Sequence, residues 1–159
     1  MDEPVRSFRF PSRVDYVHTA SAPLARFLRG LSTRRILACR CPECGKVYVP
    51  LRATCPTCAV PMAGETELAG TGTVAVFCIV NIPFEGQIIP PPYACAQVIL
   101  DGADVPIFQL IGGCDVQDVQ TGLRVQARWV DDADLGPTMD SIRWFEPLPG
   151  GTQAPARSS

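Results

Sequence analysis

The chain has 159 residues, 47% hydrophobic and 19% charged, with a net charge of -2, a balance that describes one compact soluble unit or a small domain beside a very small one. No run approaches the roughly 18 apolar residues of a membrane span, so an integral membrane protein is not expected. Sixteen prolines and thirteen glycines argue against a helical bundle and for many turns. The small net charge hides an asymmetry: residues 1–52 carry ten basic against four acidic groups, a balance of +6, and the remainder four against twelve, a balance of -8.

Residues 1–20 show no sustained period and read as an irregular or partner-ordered arm. A helix comes next. Ser21 can cap it, Pro23 is tolerated in its first turn, and Leu24, Phe27, Leu28 and Leu31 fall at i, i+3, i+4 and i+7 with Gly30 near the end. At about eleven residues it is too short to stand alone, so its apolar stripe needs a cover. That cover is either the rest of this chain or another subunit. The second option makes Leu24, Phe27, Leu28 and Leu31 candidate partner-interface residues and residues 1–35 an arm-plus-helix segment.

Residues 36–66 hold the strongest motif of the chain, the knuckles Cys41-Pro-Glu-Cys44 and Cys55-Pro-Thr-Cys58. Two CxxC turns facing each other deliver four thiolates at about 2.3 Å from one metal and leave no coordination position open, the arrangement of a structural zinc ribbon. Cys41, Cys44, Cys55 and Cys58 are therefore the candidate ligands of one structural Zn2+, with rubredoxin-type iron the alternative that these ligands also suit. Lys46 to Leu51 is expected as a strand pair linking the knuckles, and metal binding as the main source of the ribbon's stability. Cys39 lies two residues before the first knuckle and is left out of the site. No apolar leader precedes the cysteines, so disulfides are not expected and a reducing cytoplasm is. Cys78, Cys95 and Cys114 sit in apolar stretches and read as core.

Residues 67–148 read as strand and turn, with strands at Gly72 to Ile82, Tyr93 to Leu100, Val105 to Ile111, Leu123 to Val130 and Ser141 to Glu146. Asp101-Gly102 and Thr121-Gly122 supply turn signals. Five strands after a long β-branched first one suit a closed Greek-key barrel of the OB type, with an open sandwich as the alternative. The fold class is thus mainly β, with an N-terminal helix, a zinc ribbon and a five-stranded OB barrel. Residues 149–159 are Pro, Gly, Ser and Ala rich, the composition of a disordered tail.

OB barrels often bind single strands, but between Leu68 and Leu148 three basic residues face ten acidic ones, a poor groove for phosphates. Phe77, Phe108, Trp129, Trp144 and Phe145 are expected as core more than as stacking platforms. Catalysis finds little footing. The one histidine, His18, lies in the irregular arm, and Asp131, Asp132 and Asp134 sit beside a Gly-Pro turn as acids of a solvated loop do.

The order of helix, CRCPECG, VYVPLRATCPTC, GTGTV, PPYACAQVIL, IGGCDVQDVQTGLRV and WFEP resembles the DUF35 family, acyl-CoA-associated OB-fold proteins with an N-terminal rubredoxin-like zinc ribbon, over about Pro23 to Pro147. The sequence departs from the family at Leu51, where a second proline is common, and in adding Cys39. The resemblance implies an accessory subunit, without catalytic residues of its own, of a thiolase-fold enzyme: a thiolase, or a retro-aldolase that shortens steroid side chains. It implies two copies of each subunit and an acyl-CoA channel that this chain helps shape. Arg34, Arg35 and Arg52 are candidates to meet CoA phosphates at its edge. A stand-alone acyl-CoA-binding module and an OB-fold nucleic-acid binder are the alternatives.

Overall fold

The computed structural model describes residues 14, 15 and 17–149. Helix α1 (Ala22–Leu31) starts where Ser21 accepts the Leu24 N–H at 3.5 Å, and Pro23 occupies its first turn, where a missing N–H costs nothing. Its stripe is covered from within. Phe27 and Leu31 have no exposed surface, and Leu24 and Leu28 are half-buried against the same core. The helix packs on β1 (Ile36–Arg40) and touches the barrel at the 3-10 turn Met139–Ser141. Phe27 and Leu31 are therefore corrected from partner anchors to core residues.

Strand β1 is the middle of a three-stranded antiparallel sheet, between β2 (Val47–Tyr48) and β3 (Ala63–Leu68). The ribbon differs from its expected form in two respects. Between the knuckles only Val47–Tyr48 is strand, and it pairs with β1 rather than folding back on itself. Strand β3 was not expected, because AGETEL is exposed almost throughout and carries no apolar alternation; it is a strand because β1 offers it an edge.

The barrel is closed in the order β4-β5-β6-β8-β7, from β4 (Thr71–Val80), β5 (Tyr93–Leu100), β6 (Ile107–Ile111), β7 (Arg124–Trp129) and β8 (Ile142–Pro147). All neighbours are antiparallel except β6 and β8. The register of β4 on β5 shifts between Val74 and Val76, a bulge of the kind that bends a strand around a barrel. Gly72 is required by contact: a Cβ there would lie 2.5 Å from the Ile99 carbonyl oxygen.

One apolar cluster runs from Phe27 and Leu31 through Val47, Tyr48, Val49 and Leu51 to Val74, Val125 and Phe145. The ribbon, read from the sequence as held mainly by metal, thus shares a core with its neighbours. Asp104, in the β5–β6 turn, accepts the Val47 N–H at 2.8 Å and donates its own N–H to the Val47 carbonyl at 2.9 Å. The uneven charges are matched in place. Arg26 meets Glu65 and Arg35 meets Glu67, each at 2.7 Å, and Arg34 meets Asp132 at 2.6 Å, so bases of the N-terminal part pair with acids later in the chain.

Where β7 closes on β4, Arg124 holds Asp101 through two bonds of 2.7 and 2.6 Å and also reaches the Thr73 hydroxyl at 2.9 Å. The Arg124 guanidinium keeps the Asp101 carboxyl below its ordinary range, against a smaller opposing effect of burial and with help from the Thr71 hydroxyl. A carboxyl depressed in this way stabilises the fold above the ordinary Asp pKa of about 3.9, and the gain disappears as pH falls through its lower native value. Both side chains are partly exposed, so Asp101→Asn should cost only about 1 kcal/mol at neutral pH. In urea unfolding, the difference between variant and parent should shrink as pH falls below the ordinary Asp value of about 3.9.

Candidate metal centre and the outer barrel face

The two knuckles are built alike. Cys41 donates its N–H to the Lys46 carbonyl and Cys55 to the Val60 carbonyl, both at 2.9 Å. Gly45 returns an N–H to Cys41 O at 3.0 Å and Ala59 to Cys55 O at 2.9 Å. Each turn therefore ends on a left-handed residue, Gly45 at φ 72° and Ala59 at φ 57°. Glycine adopts that conformation freely; alanine is strained there.

These turns bring the sulfurs of Cys41, Cys44, Cys55 and Cys58 within 4.8 Å of one another. Cys44 Sγ and Cys55 Sγ are 3.9 Å apart, close to the edge of about 3.8 Å for a tetrahedron with metal–sulfur bonds of about 2.3 Å. The residues fit one metal ion. As free thiols they differ sharply. Burial raises Cys55, but N–H groups of Cys58 and Thr57 and the Tyr48 hydroxyl outweigh it and bring it down to about 6. Cys58 is pushed up to about 12, chiefly by its hydrogen bond to Cys44 and by burial. Cys39 lies outside this cluster; its buried sulfur accepts the Arg52 N–H at 3.3 Å.

Of the arginines expected to meet CoA phosphates, Arg34 and Arg35 pair with Asp132 and Glu67, while Arg52 lies over the Tyr48 ring at 5.5 Å. His18 is exposed on irregular chain. Asp132 is engaged by Arg34 at the 3-10 turn Asp132–Asp134. A recess of about 330 Å³ is lined by Arg40, Pro42, Ala63, Gly64, Glu65 and Thr66, without a histidine or a thiol.

Sequence reasoning missed the outer face of β4, β5 and β6. Phe108, expected in the core, is 63% exposed, and Val76 is 52% exposed. They flank Gln97 in register, Val76 opposite Gln97 and Gln97 opposite Phe108. The β4–β5 loop adds exposed Ile82, Phe84 and Ile88. From Gly72 to Leu100 the single charged residue is Glu85. The signal was present but inverted: in β6, Gln109 is directed to protein carbonyls, bonding Ile142 O at 3.0 Å and Met139 O at 3.4 Å, while Phe108 takes the outward position. Cys78 likewise departs from its expected place in the core, for it is exposed, whereas Cys95 is buried as expected and Cys114 is half-buried.

Ala59→Gly should raise stability by about 0.5–1 kcal/mol and Gly45→Ala lower it by about 1 kcal/mol, since nothing but backbone strain changes at either turn; denaturant midpoints of the full chain test both. Residues 29–61 match the family described as "ChsH2, rubredoxin-like zinc ribbon domain" and residues 65–130 that described as "ChsH2, C-terminal OB-fold domain". A curated relative from Methanocaldococcus jannaschii, a DUF35 domain-containing scaffold protein, is 32% identical over 108 residues, covering 64% of this chain and 74% of the relative. A protein of the same description from Methanothermobacter thermautotrophicus is 27% identical over 88 residues, covering 55% and 65%. Among solved structures, the Ltp2-ChsH2(DUF35) aldolase aligns with a TM-score of 0.62 at 20% identity, covering 82% of this chain and 98% of that one. A DUF35-family protein of unknown function from Sulfolobus solfataricus aligns at 0.58 and 19% identity, covering 80% and 85%. At such identities these two structures establish the shared fold. With its ribbon, its barrel and a relative of this similarity in hand, the chain belongs to the DUF35 family.

Proposed function

We propose that this chain is a zinc-containing accessory subunit that docks onto a thiolase-fold enzyme acting on acyl-CoA, supports that enzyme's dimer in a complex with two copies of each subunit, and contributes no reacting group. The observation that carries this reading is the outer face of β4, β5 and β6, where Val76 and Phe108 are exposed on chain almost free of charge. Large exposed aromatic and aliphatic side chains of this kind are the anchors of protein interfaces. The closed four-sulfur cluster supports a structural role for the metal, because four thiolates leave no position for substrate. The names of the relatives, a scaffold protein and an aldolase containing a ChsH2(DUF35) component, point the same way. Half-exposed Leu24 and Leu28 on α1 extend the candidate contact, in place of Phe27 and Leu31.

In this reading the thiolase or retro-aldolase chemistry, on a steroid side chain or another acyl-CoA, resides in the partner, and this chain shapes the channel rim. Of the three arginines considered for CoA phosphates, Arg52 is the one without a carboxylate partner among the described residues. This reading places the protein in the cytoplasm, the compartment expected from the cysteine usage. Among the described residues no helix is long and apolar enough to cross a membrane.

The test is co-expression with the thiolase-like protein encoded beside this one, followed by size exclusion and native mass spectrometry. The parent chain should travel in a complex holding two copies of each subunit. Phe108→Asp should weaken it by about thirtyfold, as loss of an interface anchor of about 2 kcal/mol does. An intact complex with both Phe108→Asp and Phe84→Asp would reject this face. Binding of CoA by the isolated chain would favour the stand-alone module instead. For the metal, elemental analysis should return one zinc per chain, and Cys44→Ser or Cys58→Ser should abolish it. Zinc must displace protons, from Cys58 above all, so its apparent affinity should fall steeply from about pH 8 to about pH 6.

A further inference from the structure

Cys78 on β4 and Cys95 on β5 stand directly opposite each other in an antiparallel pair, with their sulfurs 3.2 Å apart. Directly opposed residues in such a pair have Cα atoms about 4.5 or about 5.5 Å apart, and both spacings lie within the range that a disulfide spans. Neither strand would need to move. The two sulfurs would have to close to about 2.05 Å, which side-chain rotation on a fixed backbone can supply. The pair is also asymmetric in access. Cys78 is exposed, whereas Cys95 retains 8% of its surface. Burial, with the hydrogen bond to Cys78, pushes the Cys95 thiol up to about 11. No charged residue lies in β4 or β5, and neither cysteine belongs to the four-sulfur cluster.

We propose that Cys78 and Cys95 form a thiol–disulfide exchange site on the barrel surface, with Cys78 as the attacking thiol and Cys95 as the resolving one, and with a low-molecular-weight disulfide such as oxidised glutathione as the reactant. The exposed Cys78 thiolate attacks one sulfur of the small disulfide. A Cys78–glutathione bond forms, the disulfide of the reactant breaks, and one glutathione thiolate leaves. Cys95 then gives its proton to solvent and its sulfur attacks Cys78 Sγ. The Cys78–Cys95 bond forms, the mixed disulfide breaks, and the second glutathione thiolate leaves. Two protein thiols are oxidised, one small disulfide is reduced to two thiols, and the charges balance through solvent protons. The raised pKa of Cys95 lowers its thiolate fraction and so slows the second step.

The chemistry requires this chain alone; Cys78 lies two residues from Val76 on β4, so a partner seated on that face would cover it and the reaction belongs to the free chain. It is tested on the full, zinc-loaded chain incubated with oxidised glutathione, quenched with acid, and mapped by peptide mass spectrometry without reduction. The expected product is a chain lighter by two hydrogen atoms, with the peptides of Cys78 and Cys95 joined and the Cys41, Cys44, Cys55 and Cys58 peptides unjoined. Cys95→Ser should accumulate one glutathione on Cys78, and Cys78→Ser should abolish the joined peptide without placing glutathione on Cys95. Native circular dichroism and retained zinc report that both variants are folded. The proposal is overturned if the parent chain keeps glutathione on Cys78 as its stable product, if Cys95 pairs with a different cysteine, or if both thiols survive unmodified.

Discussion

The burial of β1 on both faces is the constraint from which the rest of the molecule is arranged. Ala38 and Cys39 are neighbours in a strand, so their side chains point to opposite sides, yet both are buried. A five-residue strand cannot achieve that alone. α1 packs onto it, β2 and β3 take its two edges, and the barrel contributes to the same apolar cluster. Its last residue, Arg40, leads at once into the first metal-ligating cysteine, so the position of the sulfur cluster is inherited from the core. The metal site organises the ribbon's tip, while hydrophobic contact organises its root.

That arrangement assigns different physical roles to the two halves of the chain. In the ribbon, backbone carbonyls and N–H groups of two matched turns aim sulfur at a point, an arrangement that depends on geometry and leaves no room for turnover. In the barrel, closure satisfies the strand edges, and the inner positions are filled by residues such as Val74, Val98, Val125 and Phe145. The helix and ribbon are tied to the barrel and its loops by Arg34 with Asp132, by Asp104 with Val47, and by the shared core. One apolar core therefore carries both the sulfur cluster and the outer barrel face.

Much of this was legible in the residues, for identifiable reasons. The knuckle spacing fixes its own chemistry, and the β-branched runs with Asp101-Gly102 and Thr121-Gly122 mark five strands nearly to the residue. The helix was legible from Ser21 and its stripe, but its destination was not, because a stripe states that burial occurs and is silent on what covers it. β3 escaped notice since Glu65, Thr66 and Glu67 are selected for an edge offered by a distant strand and for the arginines beside it. Phe108 was misread because β6 reverses the usual rule, turning an amide inward to satisfy carbonyls of the Met139–Ile142 segment and a phenyl ring outward. Sequence periodicity locates faces; only the assembled sheet shows which of them meets water.

The join between β6 and β8 differs from every other in the barrel. It is the sole parallel pairing and holds one registered couple, Ile111 with Phe145, supported by the Gly112 N–H on the Phe145 carbonyl at 2.9 Å. A ring of strands opens most easily where its stitching is sparsest, so this seam is where local opening of the cylinder forfeits the fewest backbone hydrogen bonds.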